Sequence, residues 1–194
     1  EGALDLFKSS DSPEDYEKKL NATEHTVNNL DLNEDGEVDY IRVEDNQSGD
    51  VHAIVLQVAL SKSEVQDIAV IEIEKTGKEE AILQIIGDEN LYGESLIVEP
   101  FEVAQQMAPT GNGGPSPDIA TARIVVNVWR WSPVRFLYRP NYRVYVSPYR
   151  WGFYPTYFRP WRPVSRSVFR TRVVYRPTYR VATTHRVVNA HRVY

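Results

Sequence analysis

The feature that most constrains this chain is a division of charge. All 27 acidic residues lie at or before Asp118, where residues 1–120 carry only six Lys and one Arg, a net charge of −20. Residues 121–194 carry 15 Arg, no Lys and no acid, a net +15, together with 17 of the 22 aromatic residues. The overall −5 is therefore the sum of two strongly charged halves. Joined in one chain, each half sees its complement at high effective concentration, which favours their meeting over their staying apart.

Several classes fall away on composition. Without cysteine there is no disulfide framework, no thiol nucleophile and no thiolate-bound zinc or iron. A chain without thiols is at home in either redox compartment. No apolar run approaches the roughly 18 residues that span a bilayer. The chain begins at Glu1 without Met, which a removed export signal or a cloning boundary would each explain.

The first 25 residues read as two short helices. Ala3, Leu4, Leu6 and Phe7 cluster at helical spacing, and Asp11-Ser12-Pro13-Glu14-Asp15 joins a capping oxygen, a first-turn proline and acids at the positive end of the dipole. From residue 26 the period changes to that of strands. The runs Thr26–Leu32, Glu37–Glu44, Val51–Leu60, Val65–Glu74, Ala81–Ile86 and Ser95–Val98 are separated by turn chemistry such as Ser48-Gly49-Asp50 and Thr76-Gly77-Lys78. Gaps this short suit hairpins, so the expected fold is α+β, with N-terminal helices on an antiparallel meander. In Val51–Leu60, His52, Ile54, Leu56 and Val58 form one face and Val51, Ala53 and Val55 the other; Ala81–Ile86 behaves alike. A sheet apolar on both faces needs cover on both. The helices supply one cover and leave the other to be found.

Residues 105–118, with three Gly and three Pro, read as a linker between an acidic domain (1–104) and a basic, aromatic-rich tail of low complexity (119–194). Ala122–Trp131 reads as a strand and is the expected second cover. Beyond it, prolines at intervals of three to eight residues limit the tail to edge strands or extended segments. Near the end, Arg180–His185 and Arg186–His191 repeat with a period of six.

One motif points to a metal. Asp31, Asn33, Asp35 and Asp39 place oxygen ligands at positions 1, 3, 5 and 9 of a loop, Gly36 allows the sharp turn at position 6, and Glu37 offers its carbonyl at position 7. Calcium takes six to eight oxygens, and a cation relieves the repulsion of carboxylates crowded in one loop. The pattern resembles the first nine positions of EF-hand and dockerin loops. It departs at position 12, which is Arg42, and in its strand-forming flanks. It is more similar to the calcium loops between strands of integrin-type FG-GAP repeats, with Glu44, Asp45 or Asp50 left to complete the shell. Such a site would be structural, with affinity of order 10⁻⁴ to 10⁻³ M.

The tail carries a second pattern. Arg150, Arg159, Arg162, Arg166, Arg170 and Arg172, interleaved with Trp151 and Trp161, combine guanidinium forks with aromatic faces, a composition suited to polyanions. The near absence of Gly, the lack of an RNA-binding signature and the neighbouring −20 region argue against nucleic acid and for an anionic envelope polymer or a protein partner. No catalytic constellation is present. His25 and His52 lack a nucleophile at a recognisable motif, and there is no phosphate loop, nucleophile elbow or His-Glu-x-x-His.

Across Asp31–Val43, His52–Gln57, Asp67–Lys75 and Ile86–Glu89, with a tail like residues 124–163, the chain resembles uncharacterised exported proteins of Bacteroidetes-type bacteria. That resemblance implies a periplasmic, extracellular or outer-membrane-associated setting and assigns no activity. The expected protein is a non-enzymatic, calcium-stabilised interaction module; the alternative is a polyanion-binding protein acting through the tail.

Overall fold

A computed structural model describes residues 1–25, 27–92, 96–104, 122–165, 167–169 and 178–194. The chain opens with α1 (Gly2–Ser9) and α2 (Pro13–Leu20), as the start signal predicts: the Ser12 hydroxyl accepts from the Asp15 amide at 3.1 Å, and Pro13 occupies the first helical position. Five strands follow, β1 (Ile41–Ser48), β2 (Val51–Ala59), β3 (Val65–Gly77), β4 (Glu80–Gly87) and β5 (Leu96–Ala104), with the single-turn α3 (Glu89–Tyr92) before the last. They pair antiparallel in chain order, which makes the expected α+β meander. The basic region adds β6 (Ala122–Val125), α4 (Ser132–Leu137), β7 (Tyr179–Ala182) and α5 (Val188–His191), and both β6 and β7 pair antiparallel with β5.

Three expected strands differ, one of them Ala122–Trp131, whose strand ends at Val125. Residues 27–32 form no strand, because their backbone serves the acidic loop: Leu30 accepts from the Asp39 amide and donates to the Asn28 side chain. The strand expected over Glu37–Glu44 starts four residues later, at Ile41, once that loop has closed. Linker residues 105–118 lie outside the described residues.

Strand register sorts the side chains onto two faces. On the first, Ile54, Ile71 and Ile85 are neighbours across β2, β3 and β4, as are His52, Ile73 and Leu83. The isoleucines and Leu83 pack against Leu4, Phe7, Tyr16 and Leu20 of α1 and α2 in one buried cluster. The basic region joins the same cluster through Val128, Trp131, Val134 and Leu137. Residues 122–131 thus do not cover the second face; they extend the sheet at β5 and enter the first core.

The second cover comes from the other end of the tail. Val187 and Ala190, both fully buried, pack with Val51, Ile82 and Val193. The two copies of the six-residue repeat part company here: Arg180–Ala182 lie in β7, whereas Val188–His191 form α5. Among the described residues no helix is long and apolar enough to cross a membrane.

Candidate functional site

The second face is less apolar than its strands suggest. Register places Ala53, Glu72 and Gln84 in one row, and the Gln84 side chain donates to Glu99 at 2.7 Å. Glu72, Gln84 and Glu99 are at most 1% exposed. Buried charges need partners, and the last 17 residues bring them. Arg180 Nε donates to Glu99 Oε1 at 2.8 Å, Arg186 Nε to Glu99 Oε2 at 3.2 Å, and His185 pairs with Glu72. Gln84 Oε1 accepts from the Arg186 amide at 2.7 Å. The result is a polar seam through an otherwise apolar face, matched residue by residue to the tail.

The first face holds two further buried acids. Asp45 pairs with His52 Nδ1 at 2.9 Å and accepts from the Tyr142 hydroxyl at 2.8 Å; His52 is fully buried against the rings of Tyr138 and Tyr142. Glu17 of α2 accepts from the hydroxyls of Tyr40 (2.8 Å) and Ser147 (2.9 Å) and from the Val43 amide (2.8 Å), with a further bond from Tyr145. Burial pushes the Glu17 carboxyl above its usual value, and the four donors pull it part of the way back. Around Tyr40 the rings of Tyr149, Tyr154 and Phe158 gather at 4.9–5.6 Å. The tail is also laid along the edge of β1, where the Asp45 amide donates to the Tyr145 carbonyl and the Ser147 amide to that of Val43.

The acidic loop turns sharply and is closed by hydrogen bonds from its own amides to its side chains. Gly36 takes φ +85°, a left-handed conformation that side chains disfavour. Asp31 accepts from the amides of Asp35 and Gly36 at 3.1 Å, Asn33 from that of Asp35 at 3.0 Å, and Asp35 from that of Glu37 at 2.9 Å. Asp39 receives the Leu32 amide, so the loop folds back on its ninth position. Burial, aided by the charges of Asp31 and Asp35, raises the Asp39 carboxyl above its usual range. Among the described residues no three His, Asp or Glu side chains are drawn close enough around one point to form a metal-holding group; the calcium pattern counts on Asn33 and the Glu37 carbonyl as well. Of the residues considered to complete the shell, Asp45 is committed to His52 and Tyr142. The tail fastens this loop too: the Val38 amide donates to the Trp161 carbonyl at 2.8 Å, and Asn29 makes two bonds to the Val164 backbone.

Of the polyanion candidates, Arg150, Arg159 and Arg162 are exposed, and Trp151 and Trp161 half-buried. No ion pair ties these three arginines to a carboxylate among the described residues. Arg166, Arg170 and Arg172 lie outside the described residues. Beside the arginines Phe153 is 56% exposed and Tyr154 37%, unusual for side chains of that size.

Compared with models of known protein families, with curated proteins and with solved structures, the chain finds no match in any of the three.

Two features escaped sequence reasoning. The seam was hidden because one Glu or Gln per strand reads as a solvated position. The cleft formed by Tyr145, Tyr149 and Tyr157 beside α2 was hidden because its two walls are more than 120 residues apart.

Proposed function

We propose that this chain is a non-enzymatic interaction module of the cell envelope or of the secreted space, stabilised by calcium. The observation that carries the reading is a division of labour within the basic region. Arg180, His185, Arg186 and Ser147 are spent on buried carboxylates, whereas Arg150, Arg159 and Arg162 face outward beside Phe153 and Tyr154. The first set builds the fold and the second is available to a partner. The resemblance to exported proteins supports the envelope setting.

The donor set of Asp31, Asn33, Asp35, the Glu37 carbonyl and Asp39 suits a hard, oxygen-seeking cation, and the positive φ at Gly36 suits a loop wrapped around one. Bound calcium would offset the burial, and the repulsion from Asp31 and Asp35, that lift Asp39. Its role is structural, since the loop is tied to the tail at Trp161 and Val164. The test is a melting curve: EDTA lowers the midpoint, calcium restores it, and Asp35→Ala removes the difference. Identical curves with and without calcium contradict this part of the reading.

The outward arginines favour a second reading, a protein that binds an anionic polymer such as lipopolysaccharide or capsular polysaccharide. It predicts retention on immobilised heparin that falls steeply with salt and is lost in the triple variant Arg150→Ser, Arg159→Ser, Arg162→Ser. Absence of binding at low salt returns the face to a neutral or protein partner.

A further inference from the structure

A cleft of about 270 Å³ opens between the first turn of α2 and the tyrosine run of the basic region. Tyr145, Tyr149 and Tyr157 form one wall, and Ser12, Glu14, Asp15 and Lys18 the other. The aromatic wall is fixed from behind. The Tyr157 hydroxyl bonds to that of Tyr40 at 3.0 Å, Tyr145 bonds to the buried Glu17, and the Tyr149 ring sits edge-on to Tyr40 at 5.5 Å. Anchoring these rings to a buried carboxylate removes the ordering cost that a mobile wall would impose on a ligand. Tyr157 nevertheless remains 42% exposed, so its ring is accessible.

The charges of the cleft balance. Asp15 is neutralised by Lys19 at 2.8 Å, which leaves one carboxylate, Glu14, and one ammonium, Lys18, held 5.7 Å over the Tyr157 ring. A cationic ligand is opposed by Lys18 and an anionic one by Glu14, so the cleft favours neither sign of charge. A wholly apolar ligand would strip water from both charges without replacing their hydrogen bonds. What remains is a small molecule with an apolar face and a rim of hydroxyls. The C–H face of a pyranose stacks on tyrosine, while its hydroxyls donate to Glu14 and accept from Lys18. At 270 Å³ the cleft lies just below the range of about 300–1,000 Å³ that takes drug-sized ligands.

We infer that this cleft binds one neutral hexopyranose unit, at the end or branch of a glycan. The assignment deepens the reading as an interaction module and rests on neither the calcium loop nor the arginine face. It is tested on the full chain by saturation-transfer NMR with the methyl glycosides of glucose, galactose, mannose and N-acetylglucosamine, and with glucuronic acid and glucosamine as charged counterparts. At least one neutral glycoside is expected to show transfer to its ring C–H protons. Its affinity should fall about tenfold or more in Tyr149→Ala. Glu14→Gln, at an exposed helix position, serves as a second variant should Tyr149→Ala fail to fold, and should also weaken binding; Arg162→Ser, on the arginine face, should leave it unchanged. No transfer to any neutral glycoside, transfer to the charged sugars alone, or binding that survives both cleft substitutions overturns the assignment. Heparin retention measured on the same samples separates the outcomes: retention without sugar binding sinks the cleft and spares the module.

Discussion

The two faces of one sheet are covered in different ways. The first is closed by contact of apolar with apolar, Phe7, Tyr16, Leu20 and Leu137 against Ile54, Ile71 and Leu83, and its buried acids sit at the margin under Tyr40, Tyr142 and Ser147. The second is closed by 17 residues whose grip runs through Glu72, Gln84 and Glu99, with Val187 and Ala190 as a small apolar patch. Apolar contact is strong and tolerant of register, whereas a row of buried carboxylates admits only a segment with cations at matching places. The first face thus supplies stability, and the second selects which part of the tail may lie on it. The charge split therefore describes a specific fit as well as an attraction.

The largest expected effect is on the first face. Phe7→Ala removes a fully buried ring packed edge-on to Tyr16 at 5.2 Å and should cost about 3–5 kcal/mol in urea denaturation, with little dependence on salt. Glu99→Ala should cost about 2 kcal/mol, because it removes the buried carboxylate that Gln84 and two partly exposed arginines share. The two differ in reach: hydrogen exchange in Glu99→Ala should rise in β7 and around α5 while β2 and β3 stay protected, whereas Phe7→Ala should weaken the whole sheet. Equal loss of protection everywhere in Glu99→Ala would erase the distinction between the faces.

Smaller effects sharpen it. Calcium at tenfold excess over its dissociation constant should stabilise the protein by about 1.4 kcal/mol, and Asp35→Ala should abolish that gain. The smallest effect is a slope. Burial holds the Glu17 carboxyl above its ordinary 4.5, so its contribution to stability is full below the unfolded value and is lost as pH rises through the folded one. Urea midpoints followed from acid to neutral pH should carry that decline in the parent protein and lack it in Glu17→Gln. An unchanged slope would show that Glu17 is not the titrating group.

Much of the fold was legible. Ser12 and Pro13 announce α2, and the β-branched runs with Gly49 at the first hairpin announce β1 to β4. Strands apolar on both sides announce the need for a second cover. Which segment provides it was not legible, since Gln84 and the Arg186 amide meet across about 100 residues and low-complexity repeats carry no register of their own. The run 27–32 looks like a strand by composition, but Asn28 and Asn29 spend their side chains on loop and tail backbone. At the candidate sites, the spacing of Asp31 to Asp39 was readable because a loop is local. The tyrosine cleft was not, because Glu17 collects Tyr145 and Ser147 from the far half of the chain.

The central claim is that the basic region completes the fold of the acidic one. Its most direct test is a protease site placed between Gly113 and Gly114, followed by cleavage and gel filtration at physiological salt. The two fragments should elute together as one folded particle and separate only in denaturant. An N-terminal fragment that leaves alone, soluble and with unchanged exchange protection in β2 to β5, would contradict the account.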